Sequence, residues 1–283
     1  YRIIKVIFDK RITPIRNDLA SYEYKDFLSK RKFVKGKVHY IKSNYTNLFS
    51  KDKKNLISQL LYGEAVYVFE LKKGYAWVQS LRDDYVGYTP VKNLQAKKIN
   101  STHKVIALRC IVYKEPNIKS IPITELSFNS LIEITGKIKN KHFYKIKNLG
   151  WCHRNDIVSM KTNDLNQIDL VKKFINTPYL WGGRNSIGID CSGLIQNIFQ
   201  INSKYFPRDT DLQEDFIKTE VVEKNLKKGD LIFWKGHVAM MIDNSNIIHA
   251  NAFHMCTKIE PLKQAKARIK RTYGKITKMG RDY

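Results

Sequence analysis

Pro178-Tyr179-Leu180-Trp181-Gly182-Gly183, followed by Gly188-Ile189-Asp190-Cys191-Ser192-Gly193-Leu194, is the stretch on which the fold of this chain turns. A glycine-rich loop here delivers a cysteine to the first position of a helix, read over Cys191 to Ile201 with Leu194, Ile195, Ile198 and Phe199 spaced for one buried face. At a helix head the unpaired backbone N–H groups and the dipole favour a thiolate. The same N–H groups suit the oxyanion that forms when a carbonyl is attacked. The competing reading is a cysteine buried as a small apolar side chain.

Upstream, Asp169 to Ile175 reads as an amphipathic helix ended by Pro178. Downstream, Leu231-Ile232-Phe233-Trp234, His237 to Ile242 and Asn246 to Ala250 read as three consecutive strands separated by Gly or Asp-Asn-Ser turns. A thiol that attacks an amide needs an imidazole beside it, and the imidazole needs a partner that fixes its tautomer. Of seven histidines, His237 and His249 stand on these adjacent strands, whereas His254 falls in loop. The basic tail from Lys263 to Arg281 reads as a solvated helix or as a last strand over the core.

Before this α+β region the pattern changes to short strands. Ala65 to Glu70 and Tyr75 to Gln79 flank a Lys72-Lys73-Gly74 turn, and Asp83-Asp84 precedes Tyr85-Val86-Gly87-Tyr88. Ser130 to Gly136, Phe143 to Ile146 and Gly150 to His153 repeat this order, a weak internal repeat of about 60 residues. Two small β-barrels in tandem are the natural reading. The resulting division is an N-terminal extension over 1–35, barrels over 36–98 and 99–160, and a last domain over 164–283. Within the extension, Thr13 to Ala20 mixes a proline turn with the start of a short helix. Trp77, Trp151 and Trp234 read as core residues, and Trp181 as a residue that packs or shapes a pocket.

Composition narrows the function classes. The charge of +25, 51 basic against 26 acidic residues, is spread along the whole chain. It reads as lysine-rich bias, with no helix-turn-helix, zinc-finger or RNA-binding pattern, so no nucleic-acid partner is expected. No window holds the ~18 apolar residues of a membrane helix, and the opening YRIIKVIFDK makes a poor signal-peptide core. A cytoplasmic location is expected, with a periplasmic or secreted one left open because the chain begins at Tyr1. Cys110, Cys152, Cys191 and Cys256 lie far apart with no CxxC, against a zinc site or redox pair. One bridge among Cys110, Cys152 and Cys256 can be drawn, but nothing asks for it and reducing conditions are the simpler expectation.

Taken together, Tyr179 to Gly183, Asp190 to Leu194, Pro207-Arg208-Asp209, Gly229 to Phe233, His237-Val238 and Ile248-His249-Ala250 resemble the NlpC/P60 peptidases, in that family's order. The resemblance implies a papain-like catalytic domain preceded by two SH3-like barrels. It implies Cys191 as nucleophile, His237 as base and then acid, and His249 as the orienting residue, with neither metal nor organic cofactor. The upstream barrels are similar to those of the γ-D-glutamyl-L-diamino acid endopeptidases. That narrower resemblance implies a peptidoglycan-derived peptide substrate whose free N-terminal L-alanine is gripped by Asp190, Ser192, Glu64 and Tyr85, with Thr210 lining the pocket. An ammonium taken from water does need such carboxylates. A hydrolase of intact wall, a non-catalytic wall-binding module and an acyl-transfer enzyme are the rival readings, and the oligomeric state is open.

Overall fold

The computed structural model describes residues 8–29, 31–139 and 141–281. Most of the opening read as a poor signal-peptide core therefore lies outside the described residues. The chain separates into two compact units, one ending at Lys98 and the other beginning at Ile99.

In the first unit, β1 (Leu19–Ser21) pairs in parallel with β2 (Lys32–Val34). The remaining strands are β3 (Lys37–Ile41), β4 (Tyr45–Phe49), β5 (Leu56–Leu61), β6 (Ala65–Lys72), β7 (Tyr75–Ser80), β8 (Val86–Pro90) and β9 (Leu94–Gln95). They form one antiparallel sheet in the order β5-β4-β8-β7-β6-β3-β9. The hairpin between β6 and β7 turns at Lys73 and Gly74, both at positive φ, as the turn residues predict. Residues 13–20 form no helix: Ile15 bridges to Ala20 in a tight reversal, and Leu19 packs with Phe69, Trp77 and Val86. Burying Ile15 and Leu19 on the sheet wins over the weak local helix signal, since so short a helix is marginal alone.

The second unit opens with β10 (His103–Val105), β11 (Arg109–Tyr113), β12 (Pro122–Ser127), β13 (Leu131–Ile132), β14 (Ile134–Lys139), β15 (Phe143–Ile146), β16 (Trp151–His153) and β17 (Ile157–Ser159). They form two sheets, β12-β11-β16-β15-β14 and β13-β10-β17. Strand for strand this is the order of the first unit, with β13 and β14 standing where the unbroken β6 stands. The internal repeat in the sequence is thus a repeat of strand order. Trp77 is buried as expected, whereas Trp151 is only half-buried. All four cysteines are free thiols.

Next come α1 (Gln167–Lys172), α2 (Cys191–Ile201) and α3 (Thr210–Phe216). They are followed by β18 (Thr219–Glu220), β19 (Leu231–Trp234), β20 (His237–Met241), β21 (Asn246–Asn251), β22 (Cys256–Pro261), α4 (Leu262–Tyr273) and β23 (Lys278–Arg281). The sheet order is β18-β23-β19-β20-β21-β22. The basic tail supplies both a helix and a strand. Helix α1 ends at Lys172, short of Ile175, and Asn176 at positive φ marks the chain's departure.

Helix α2 differs more from expectation. All eleven of its residues are buried, so it has no solvent face. One side packs in the core with Val238, Met240 and Ile248. The polar residues on its other side are held by neighbours: Asn197 donates to the Arg184 carbonyl at 2.9 Å, and Gln196 to the Phe206 carbonyl at 3.1 Å. The β10–β17 region closes over this side. Asn129 donates to Asn197 Oδ1 at 3.2 Å, Arg109 to the Ser186 carbonyl at 2.9 Å, and Phe128 meets Phe174 edge-on. The helix carrying Cys191 is therefore fixed from several directions.

Candidate active site

Cys191 sits at the first position of α2, 6% exposed. Asp190 is the N-cap, its Oδ1 accepting from Gly193 N–H at 2.7 Å, which satisfies one of the orphan donors of the helix. Its Oδ2 accepts from Gly182 N–H at 2.8 Å, tying the glycine-rich loop to the helix head. The approach is close enough that a Cβ on Gly193 would lie 2.4 Å from the Gly183 carbonyl oxygen, which explains a glycine in the helix.

Arg208, 1% exposed, completes this corner. Its guanidinium donates to Asp190 Oδ1 at 3.0 Å and Oδ2 at 2.6 Å, and to Ser192 Oγ at 2.9 Å. The Ser192 hydroxyl in turn donates to Asp190 Oδ1 at 3.3 Å. Both oxygens of Asp190 thus already meet donors of the protein itself, and its visible work is to build the nucleophile's elbow. Sequence reading named Arg208 only as part of a phrase and missed this partnership.

The sulfur of Cys191 lies 3.9 Å from the Thr210 hydroxyl, at the start of α3, so the structure does bring Thr210 to the nucleophile. Burial, and after it the charge of Asp190, push the thiol up to about 11, against the pull of the Val238 N–H, the Thr210 hydroxyl and the Ser192 N–H. Val238, whose N–H is one of the groups that pull the thiol down, follows His237 at the start of β20. No direct hydrogen bond joins Cys191 to His237 among the described residues. Such contacts are commonly loose before substrate binds. Burial also raises the phenol of Tyr179, with the charges of Cys191 and Asp190 adding to it.

His237 and His249 do meet: His237 Nε2 lies 2.7 Å from His249 Nδ1. Burial holds His237 well below its ordinary value, reinforced by His249 and Arg268. His249 is fully buried, and burial lowers it too, against the opposing effect of the hydrogen bond it donates to Glu260. Glu260 Oε1 lies 2.7 Å from His249 Nε2 and also contacts the Arg268 guanidinium. Neither Glu260 nor Arg268 was singled out from the sequence.

Among the described residues, one group of side chains comes close enough to share a metal ion: His249, His254 and Glu260, with ligand atoms within 4.8 Å of one another. Arg268 already sets a positive charge on Glu260, and His249 Nε2 is engaged there, so the arrangement is that of a hydrogen-bonded chain. His254 instead bonds through Nδ1 to Asn251 Oδ1 at 3.0 Å. Trp181 is 70% exposed and so is not a packing residue, while Trp234 is fully buried.

Glu64 and Tyr85 belong to the first unit. Glu64 is 1% exposed; it accepts from Leu61 N–H at 3.0 Å and pairs with Arg82 at 3.3 Å. Tyr85 is 5% exposed and belongs to the core cluster with Val66 and Val78.

Among described residues no helix is long and apolar enough to cross a membrane. Residues 50–94 match the bacterial dipeptidyl-peptidase SH3 domain, and one such match is found, not two. The chain is 31% identical over 243 residues to a gamma-D-glutamyl-L-lysine dipeptidyl-peptidase of Bacillus cereus, covering 73% of this chain and 71% of that protein. A protein of the same description from Bacillus subtilis is 29% identical over 218 residues, covering 68% of this chain and 71% of the relative. The crystal structure of an NlpC/P60 family protein from Bacillus cereus shares the fold at a TM-score of 0.72 and 23% identity, over 86% of this chain and 99% of that one. With residues 176–273 matching the NlpC/P60 family itself, the chain belongs to that family of peptidases and hydrolases.

Proposed function

We propose that this protein is a cysteine peptidase that hydrolyses the γ-D-glutamyl to L-diamino acid amide of peptidoglycan-derived peptides bearing a free N-terminal L-alanine. The observation that carries the reading is a hydrogen-bonded pair of imidazoles, His237 half-buried and His249 fully buried, on strands packed against the helix that has a cysteine at its head. The relatives' name, gamma-D-glutamyl-L-lysine dipeptidyl-peptidase, supports the choice of amide. Recycling of wall peptides in the cytoplasm is the setting that such a substrate suits. The repeated strand order supports reading residues 99–160 as a second SH3-like domain.

In this mechanism the Cys191 sulfur attacks the γ-carbonyl carbon as its proton passes to His237. The oxyanion is held by N–H groups at the head of α2. His237 returns the proton to the leaving amine, the C–N bond breaks, and a thioester remains on Cys191. Water, deprotonated by His237, then attacks the thioester and frees the thiol. The residues present need no metal for these steps.

The test is mass spectrometry of products from L-Ala-γ-D-Glu-diamino acid tripeptides, with and without N-terminal acetylation. Cleavage of the free peptide and loss of cleavage on acetylation are expected. Equal cleavage of both would remove the requirement for a free amine, and release of peptides from whole sacculi would favour a hydrolase of intact wall.

A further inference from the structure

The proposed base, His237, has two ring nitrogens, and only one arrangement of protons leaves it able to accept from a thiol. Its Nε2 is 2.7 Å from His249 Nδ1, so a single proton is shared in that contact. If His237 donates, its Nδ1 carries a lone pair and can act as a base. If His249 donates, a neutral His237 must carry its proton on Nδ1 and cannot. Two neutral imidazoles alone do not choose between these arrangements.

Glu260 chooses. It stands on β22, where Lys258 is opposite His249 and Glu260 opposite Ile247, so Glu260 reaches His249 along the diagonal of one sheet face. A carboxylate only accepts, so His249 Nε2 must carry hydrogen at its 2.7 Å contact with Glu260 Oε1. A neutral His249 then has its lone pair on Nδ1, and His237 must be the donor across the second contact. Both choices follow from the one carboxylate.

The carboxylate is itself held. Arg268, on α4, sets its guanidinium on Glu260 and lies over the Phe253 ring at 4.2 Å from the centroid. Burial alone would raise Glu260, but the His249 hydrogen bond and the charge of Arg268 outweigh it and keep the group ionised. His254 adds a further contribution from the turn between β21 and β22, and Lys258 is exposed.

We propose that Glu260 is a positioning residue of the reaction: by accepting the His249 Nε2–H it fixes the tautomers of both rings and leaves Nδ1 of His237 as the proton acceptor. This rests on the peptidase reading for its purpose but not for its test. The tautomers can be read on the full chain without substrate, from long-range proton–nitrogen correlation spectra of its ¹⁵N-labelled histidines. In the parent protein both His237 and His249 are expected as Nε2–H forms. Glu260→Leu, which keeps bulk and removes the acceptor, should bring in the Nδ1–H form of His249. Arg268→Gln, which keeps the carboxylate, should leave the parent pattern.

With the γ-D-glutamyl tripeptide, Glu260→Leu should lower kcat by roughly ten- to a hundredfold, the worth of one hydrogen bond to a charged group, with KM little changed. Glu260→Asp should recover part of the loss. If Glu260→Leu does not fold, Glu260→Gln decides by the same spectra: its charge is gone and its amide can donate as well as accept, so mixed tautomers are expected. Parent-like spectra in either folded variant would overturn the proposal. A parent protein that fails to cleave the peptide would defeat the peptidase reading, while the spectra would still decide the role of Glu260.

Discussion

Asp190 and Arg208 form a buried, two-pronged ion pair beside the nucleophile, closed at 3.0 and 2.6 Å. The pair joins three separate pieces of chain: the glycine loop through Gly182, the head of α2 through Gly193, and the segment before α3 that carries Arg208. Removing one partner leaves the other charge largely buried and unpaired. Arg208→Ala should therefore lower stability by about 3–5 kcal/mol, measured as a shifted urea midpoint at an unchanged slope. A loss below about 1 kcal/mol would mean that Asp190 is solvated in a way this geometry does not allow.

The state of the thiol gives a second prediction. Burial pushes Cys191 up to about 11, and His237 is held well below its ordinary value, so the resting pair is thiol and neutral imidazole. Alkylation by iodoacetamide, which needs thiolate, should then be slow at pH 7 and rise steadily into the alkaline range. Peptide-resolved mass spectrometry separates Cys191 from Cys256, the other cysteine that is not fully buried. A plateau of fast alkylation below pH 6 would reveal a preformed thiolate–imidazolium pair instead.

The histidines also couple stability to acid. His237 and His249 both lie below 6.5 in the folded state, so between that value and their folded values the unfolded chain binds more protons. The stability these two neutral histidines contribute is present above pH 6.5 and is lost as pH falls from there through the folded values. Urea midpoints measured from pH 7.5 to 5 should decline, and His237→Asn should make the decline shallower. An identical decline in that variant would place the acid sensitivity elsewhere.

Much of this was legible in the chain. The strands at 231–234 and 237–241 fall where glycine and aspartate punctuation put them, and α2 runs over the residues read as helix. Those features are local. What could not be read is the pairing of polar groups across the fold. Glu260 lies in Cys-Thr-Lys-Ile-Glu-Pro, a run that looks like any charged edge strand until register sets it diagonally from His249. Arg268 is one of many cations on α4, marked out only by the end of β22 returning beside it. The polar side of α2 is covered because the β10–β17 region docks there, which periodicity within eleven residues cannot foretell. The resemblance implies that Asp190 grips substrate, while the structure shows both of its oxygens accepting from Gly182, Gly193 and Arg208.

The covalent step is the most direct thing to measure. Acid-quenched samples of the protein with L-Ala-γ-D-Glu-L-Lys, digested and analysed by mass spectrometry, should show the L-Ala-γ-D-Glu acyl group on the peptide containing Cys191, and Cys191→Ala should neither carry it nor release lysine. Release of lysine by Cys191→Ala at the parent rate would contradict the account.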